Sequence, residues 1–339
     1  MKTLKLFIIL IAAILLITDL HKAQEIKFEG WGATGFKYFA RNRLNGANQE
    51  TYFEGKLQAE IKFNKQIKAQ LDLRGNSTDR SVNFREFSVK FEFFKYLDIK
   101  IGNIKRPFGY HYIETSREDL STIDRNLALD RFNELGFGGR SVSLMGYYKY
   151  SDKRPDFPFT YYASLFTNNS QNYGFAGRFG FHFDDDNALS LNFLLQQQGG
   201  EEPINTNGFA LDYALDHKDY KAILEFYYAQ DPVEGVIRRL QNKDEVVNIG
   251  GAALTGSYEI DTDGEIVKKL EPVLTAGVFL PDFDNTDNHV IQTIIGVNIY
   301  FHKKVLARLN GDIRFTKNEF NTDYSTKESR MILEVLVKF

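Results

Sequence analysis

The chain has no cysteine, seven prolines and a single tryptophan in 339 residues. Without cysteine there is no disulfide framework, no thiolate metal site, no thiol redox chemistry and no lipid-bearing N-terminal cysteine. No apolar run long enough for a membrane helix occurs beyond the first two dozen residues. An excess of basic charge is also missing. The formal net charge is −3, and loss of Lys2, Lys5, Lys22 and Asp19 with a cleaved leader lowers it further. That balance argues against a nucleic-acid partner. It neither supports nor excludes an anion pore, because selectivity depends on the charges lining a constriction.

The N-terminus reads as a secretory signal, with Lys2 and Lys5 before the apolar run Leu6–Ile17. This run is too short for a spanning helix, which takes about 20 residues. Cleavage is expected after Ala23, although His21 sits where a small residue is preferred. The domain reading is therefore a signal peptide over 1–23 and a single domain over 24–339.

Aromatics are abundant, with 30 Phe and 18 Tyr. They fall in short stretches of strict alternation. In one, Phe53, Gly55, Leu57, Ala59, Ile61 and Phe63 alternate with Tyr52, Glu54, Lys56, Gln58, Glu60 and Lys62. Ile67, Ala69, Leu71 and Leu73 follow, against Lys68, Gln70, Asp72 and Arg74. Near the end, Val305, Ala307, Leu309, Gly311, Ile313 and Phe315 alternate with Arg308, Asn310, Asp312 and Arg314. The period is 2, that of strands. Membrane barrel strands set apolar residues toward lipid and polar ones toward the lumen over about 10 residues. A soluble sandwich would bury its apolar faces on a second sheet. Here the apolar sets are long, aromatic-tipped and repeated along the whole chain. Closing the sheet removes its edges, as lipid demands. The fold class is all-β: a transmembrane antiparallel β-barrel of about 16 strands.

Sixteen candidate strands lie between residues 26 and 339. Connections after even-numbered strands are mostly short (Asn64-Lys65, Lys95-Tyr96, Asp184–Asp186, His217-Lys218, Lys303), and those after odd-numbered strands longer. This is the asymmetry of periplasmic turns and external loops. The connections 259–269 and 168–172 break the trend, so fourteen or eighteen strands stay open. The last strand ends Leu333–Phe339, and its terminal aromatic resembles the recognition signal of outer-membrane barrels. These features place the chain in the outer membrane of a Gram-negative bacterium, embedded in its lipid.

One stretch departs from the hairpin pattern. A strand ending at Ile104 runs into a long non-alternating excursion, 105–134, before the next strand over Leu135–Tyr150. Loops of about thirty residues are abnormal among hairpins and usually functional. The expectation is an external loop folded into the barrel, where it narrows a pore. Pro107-Phe108-Gly109 would turn the chain at the strand top. Ser116–Leu129 could form a short helix capped by Ser116, a near miss to a capping box.

The stretches Ile101–Gly109, Glu118–Arg125, Gly136–Gly146, Ala253–Gly256 and Gly296–Phe301 resemble, in this order, the phosphate-selective porin O and P family. The resemblance spans most of the mature chain, and its central piece is the most specific. It implies a sixteen-stranded outer-membrane porin, commonly a homotrimer, whose third external loop folds inward. It further implies a pore lined by arginines, with phosphate held at a lysine of the constriction. The loop departs from that pattern in carrying six acidic residues against five basic ones.

An anion pore needs Arg or Lys in a narrow lumen, and the planar arginine fork suits phosphate. The constriction candidates are Lys105, Arg106, Arg117, Arg125 and Arg131. The wall candidates, by parity, are Arg74, Arg178, Arg308 and Arg314. The competing reading is that these arginines pair with neighbouring carboxylates and pin the loop. A third arrangement sets a basic wall against an acidic loop. Enzyme signals are absent: His111, His182, His217, His289 and His302 show no metal-ligand spacing. Asp282–Asp287 lacks the glycine and closing glutamate of a calcium loop. No cofactor is expected. The reading is a pore for passive diffusion of small hydrophilic solutes, leaning toward anions such as phosphate. The alternatives are a general non-selective porin, or a closed barrel with a surface-binding or structural role.

Overall fold

A computed structural model describes residues 25–40, 48–78, 80–151, 156–167, 173–198, 204–241, 246–316 and 328–339. The expected signal peptide lies outside the described residues. Alternation turns into sixteen strands. They are β1 Ile26–Phe39, β2 Gln49–Lys62, β3 Ile67–Asn76, β4 Ser81–Phe91, β5 Asp98–Lys105, β6 Arg140–Tyr148, β7 Phe159–Thr167 and β8 Tyr173–His182. Then follow β9 Asn187–Gln198, β10 Ile204–Asp216, β11 Tyr220–Gln230, β12 Asn248–Tyr258, β13 Lys269–Leu280, β14 Val290–His302, β15 Val305–Thr316 and β16 Arg330–Lys338.

Each strand pairs antiparallel with the next, and β1 pairs with β16 over Trp31↔Lys338 to Phe39↔Arg330, which closes the barrel. The long connection 259–269 is largely hairpin. A two-residue continuation of β12, Ile260–Asp261, stays paired to β13. The count of sixteen therefore stands.

The two faces follow the pattern. On β9, Leu189, Leu191, Phe193 and Leu195 point outward and are exposed, while Ser190, Asn192, Leu194 and Gln196 are buried inside. On β15, Leu309, Ile313 and Phe315 face outward against buried Arg308, Asn310, Asp312 and Arg314. An apolar outside and a polar inside are what a lipid surround stabilises. Among the described residues no helix is long and apolar enough to cross a membrane, which is silent on strands.

Between β5 and β6 the chain forms α1 (Tyr110–Ile113), a 3₁₀ turn (Arg117–Asp119) and α2 (Leu127–Glu134). Here two expectations fail. The helix does not run over Ser116–Leu129, and Ser116 makes no side-chain cap. The helix starts later, where Asn126 accepts the Leu129 N–H at 2.8 Å. The next strand begins at Arg140 rather than Leu135. Gly136 and Gly139 take φ of +90° and +87°, which break the extended run and let Phe137 turn into the core. A third helix, α3 (Pro232–Leu240), stands in the loop after β11, capped by Asp231.

Candidate functional site

The inward course of the loop starts at Phe108. It is fully buried and packs with Phe132, Phe137 and Tyr227, its ring centroid 5.8 Å from that of Phe137. Removing such a ring costs about 3–5 kcal/mol, so this cluster holds the loop's fold firmly. Gly109 turns the chain with φ +80°, and a Cβ there would meet Leu129 Cδ1 at 3.0 Å.

Irregular backbone at this depth needs partners for its polar groups. Inward-facing wall side chains supply them. Asn192 accepts the Gly109 N–H (3.2 Å), Gln292 that of Leu127 (2.7 Å) and Asn310 that of Ile123 (2.7 Å). Asn298 and Arg308 donate to the Ser121 and Leu120 carbonyls at 2.8 and 3.1 Å. Loop and wall are also tied by charge. Glu225 pairs with His111, and Glu334 with Arg117 and Arg308. Arg178 meets Glu114 and Asp212, and Arg330 meets Asp124 at 2.9 Å. The wall from β8 round to β16 is thus occupied by the loop.

The opposite wall, β2 to β6, is open. It and the loop enclose a cavity of about 480 Å³, lined by eleven Lys or Arg side chains and four carboxylates. This basic lining sits in a chain of net charge −3. Lys90, Lys95 and Asp98 lie toward the end of the short turns. A second cavity of about 240 Å³ opens toward the long loops, past Lys37, Asn76 and Thr78. Four cationic side chains line both cavities: Arg74 and Arg85 from the wall, Arg117 and Arg125 from the loop. They are the cationic side chains common to the two cavities.

The four are held differently. Arg117 pairs with Glu334 and, at 3.5 Å, with Glu54, while Arg74 donates to Glu54 at 3.0 Å. Both guanidiniums stand over the Trp31 ring, at 5.3 Å for Arg74 and 5.6 Å for Arg117. Arg125 donates to the His111 and Thr115 carbonyls and lies over Tyr112. Arg85 is exposed to the lumen and has no ion pair among the described residues.

Burial shifts several loop groups. It works against the charge of Arg117, but the neighbouring Glu334 and Glu54 carboxylates win and raise that guanidinium above its ordinary range. Arg125 is lowered by burial. Asp130, on the outer cavity, is pushed up to about 6 by burial, with Arg125 opposing. Asp124 is held low because Arg330 outweighs the burial of its carboxyl.

The nine residues singled out from sequence separate cleanly. Arg74, Lys105, Arg117 and Arg125 line the cavities. Lys105 donates to the Tyr112 carbonyl at 2.8 Å, tying strand to loop. Arg106 is buried, 5.0 Å over the Phe166 ring, where burial pushes its guanidinium down to about 10. Arg131 pairs with Glu134 on the same helix. Arg178, Arg308 and Arg314 are buried in ion pairs with Asp212, Glu334 and Asp312. These five line neither cavity.

Parity missed Arg85. On β4, Asp72 pairs with Glu86 but Leu73 with Phe84, so Arg85 is the extra residue of a β-bulge. Bulges re-aim side chains. Here the bulge turns both Arg85 and Glu86 to the lumen and keeps Phe84 outside. The signal was present: apolar Val82 and Phe84 are even-numbered, Phe87, Val89 and Phe91 odd-numbered, and the phase slips across Arg85. Arg140 and Lys100, which pair with Glu86, and the Glu54 bridge were also missed. Lys100 and Glu86, like Arg74 and Glu54, lie on paired consecutive strands, whereas Arg140 and Arg117 reach these carboxylates from beyond the hairpin.

A closed sixteen-stranded barrel with an apolar exterior and a loop-narrowed, charged lumen is an outer-membrane porin. Comparison with known proteins places it further. A family model described as "Phosphate-selective porin O and P" matches residues 29–214, and the chain belongs to that family. Among solved structures, a loop-deletion mutant of OmpT from Vibrio cholerae superposes with a TM-score of 0.65 at 12% identity, covering 93% of this chain and 99% of that one. The anion-selective porin of Comamonas acidovorans gives 0.64 at 11%, covering 93% and 99%. The channel DcaP of Acinetobacter baumannii gives 0.61 at 14%, covering 93% and 97%. No curated protein matches the chain in sequence.

Proposed function

We propose that the barrel is a passive pore that prefers small hydrophilic anions and holds oxyanions such as phosphate at the ring of Arg74, Arg85, Arg117 and Arg125. One observation carries this reading: the two cavities meet at four arginines, two from the wall and two from the loop. Positive charge at the narrowest, least hydrated point attracts anions and repels cations most strongly. A planar guanidinium donates two parallel hydrogen bonds to an oxyanion. The likeness to an anion-selective porin points the same way. Transport needs no energy coupling or chemical step, and the working unit is a homotrimer, as one similar structure of OmpT from Vibrio cholerae is described.

The test is the reversal potential across a planar bilayer holding the purified protein under a potassium chloride gradient, repeated with phosphate added. Anion sign and a phosphate-dependent fall in chloride current are expected. A potential near zero or of cation sign would leave a general porin, in which Glu54, Asp124 and Asp130 offset the arginines. No current at all would move the reading to a closed barrel with a surface role.

A further inference from the structure

Two of the four constriction arginines are already bridged by an anion that belongs to the protein. Glu54 reaches in from β2. One carboxylate oxygen accepts from Arg74 Nη2 at 3.0 Å and the other lies 3.5 Å from Arg117 Nε. The three side chains keep 16%, 20% and 10% of their surface accessible, for Glu54, Arg74 and Arg117 respectively. They line the outer cavity together, so solvent and solutes reach them. Trp31, beneath both guanidiniums, fixes their planes from the wall side. Arg85 and Arg125, across the same opening, have no carboxylate within ion-pair distance among the described residues.

We infer that Glu54 is the specificity-determining residue of the constriction: a resident counter-anion that a permeating anion displaces from the Arg74–Arg117 pair. The inference rests on the anion-pore reading and deepens it. An anion entering from outside reaches the four arginines through the outer cavity, which Glu54 also lines, and competes with its carboxylate for the Arg74–Arg117 pair. Two guanidiniums spaced to hold the two oxygens of a carboxylate match another anion offering two or more oxygens. A spherical halide offers a single acceptor atom and cannot give each guanidinium its own oxygen. The site therefore favours oxyanions, phosphate or sulfate in kind, over chloride. Competition from Glu54 also keeps dwell times short, because the departing anion is replaced by a charge that never leaves. Conduction needs binding weak enough for release.

The alternative is that Glu54 is a strut that merely positions the two arginines, and the two roles move phosphate binding in opposite directions. The measurement uses full-length protein carrying Glu54→Gln beside wild type, with inorganic phosphate as probe. Phosphate affinity is read from block of chloride current and from the fluorescence of Trp31, the only tryptophan of the chain. A counter-anion predicts that Glu54→Gln binds phosphate about tenfold more tightly, since one opposing charge at contact distance is gone. It also predicts a raised anion-to-cation permeability ratio. Unchanged or weaker phosphate binding would overturn it and leave a strut. Should Glu54→Gln fail to fold, Glu54→Asp keeps the charge on a stem too short to span both guanidiniums. A smaller tightening is then expected, and none or a loss counts against the inference. A wild-type reversal potential of cation sign refutes the anion-pore reading itself, whereas the Trp31 titration still reports on Glu54.

Discussion

Arg308 and Arg74 both project inward from barrel strands, yet they do different things. Arg308 has a side-chain exposure of 0% and faces Glu334, also at 0%. Arg74 keeps 20% and borders open space. The contrast extends to the two halves of the lumen. Along β8 to β16, buried Asp212, Asp312 and Glu334 neutralise the arginines that meet them, and Glu225 holds the loop by accepting the His111 backbone N–H. Along β2 to β6, basic side chains outnumber carboxylates and face the cavity. The same residue type is a clamp where it and its carboxylate are both closed to solvent, as Arg308 and Glu334 are, and a cavity contact where it keeps an open face, as Arg74 does. Exposure, more than position on the inward face, decides which.

The largest effect that can break this comparison comes from the clamp. Glu334→Ala leaves Arg308 buried without its carboxylate and Arg117 with Glu54 alone, and loss of one partner of a buried pair costs about 3–5 kcal/mol. The expected outcome is a lower unfolding midpoint and larger, noisier single-channel currents as the loop loosens. Arg178→Ala, which leaves buried Asp212 without its cation, should lower the midpoint by a similar amount. A melt like wild type for both would erase the distinction between the halves.

Next comes the open wall. Arg85→Ala should cut the anion-to-cation permeability ratio several-fold while shifting stability by no more than about 0.5 kcal/mol, as for other exposed changes. Reversal potential and thermal melt, read on the same sample, separate the two quantities.

A smaller effect follows from Asp130. Its carboxyl titrates near 6 in the folded loop because burial disfavours the charge, against about 3.9 in an unfolded chain. The folded state then binds more protons between about pH 4 and 6, so this group's contribution to stability is lost as pH rises through that window. Lowering the pH from 7 to 5 also removes one negative charge from the outer cavity, and anion preference should rise. Asp130→Asn should flatten the dependence of reversal potential on pH across that interval.

The smallest effect is expected at Arg131, whose partner is Glu134 on the exposed side of the same helix. Arg131→Ala should leave current, selectivity and midpoint within error, since exposed pairs of this kind contribute about 0–1 kcal/mol.

Much of this was legible in the chain. Period-2 alternation located the strands and assigned the faces of β2, β3 and β15 correctly, because each strand reads two solvents, lipid and water, independently of its neighbours. The anomalous length of the segment after β5 exposed the loop. Within the loop, local rules misplaced the helix, since Asn126 rather than Ser116 met the geometry of a cap. They also extended β6 across two glycines that take positive φ.

The sequence by itself determined an outer-membrane barrel, its strand count to within a hairpin, and which loop enters the lumen. Those follow from local periodicity and from the rule that lipid tolerates no unpaired edge. Only the tertiary structure decided which arginines meet the solute. Arg117 and Glu334 become neighbours only when the loop folds against the last strand of the closed ring, and Arg117 reaches Glu54 by the same fold. A single bulge in β4 brings Arg85 across from the phase its neighbours predict. Pairing and burial are properties of that closure, and they divide identical side chains into clamps and contacts.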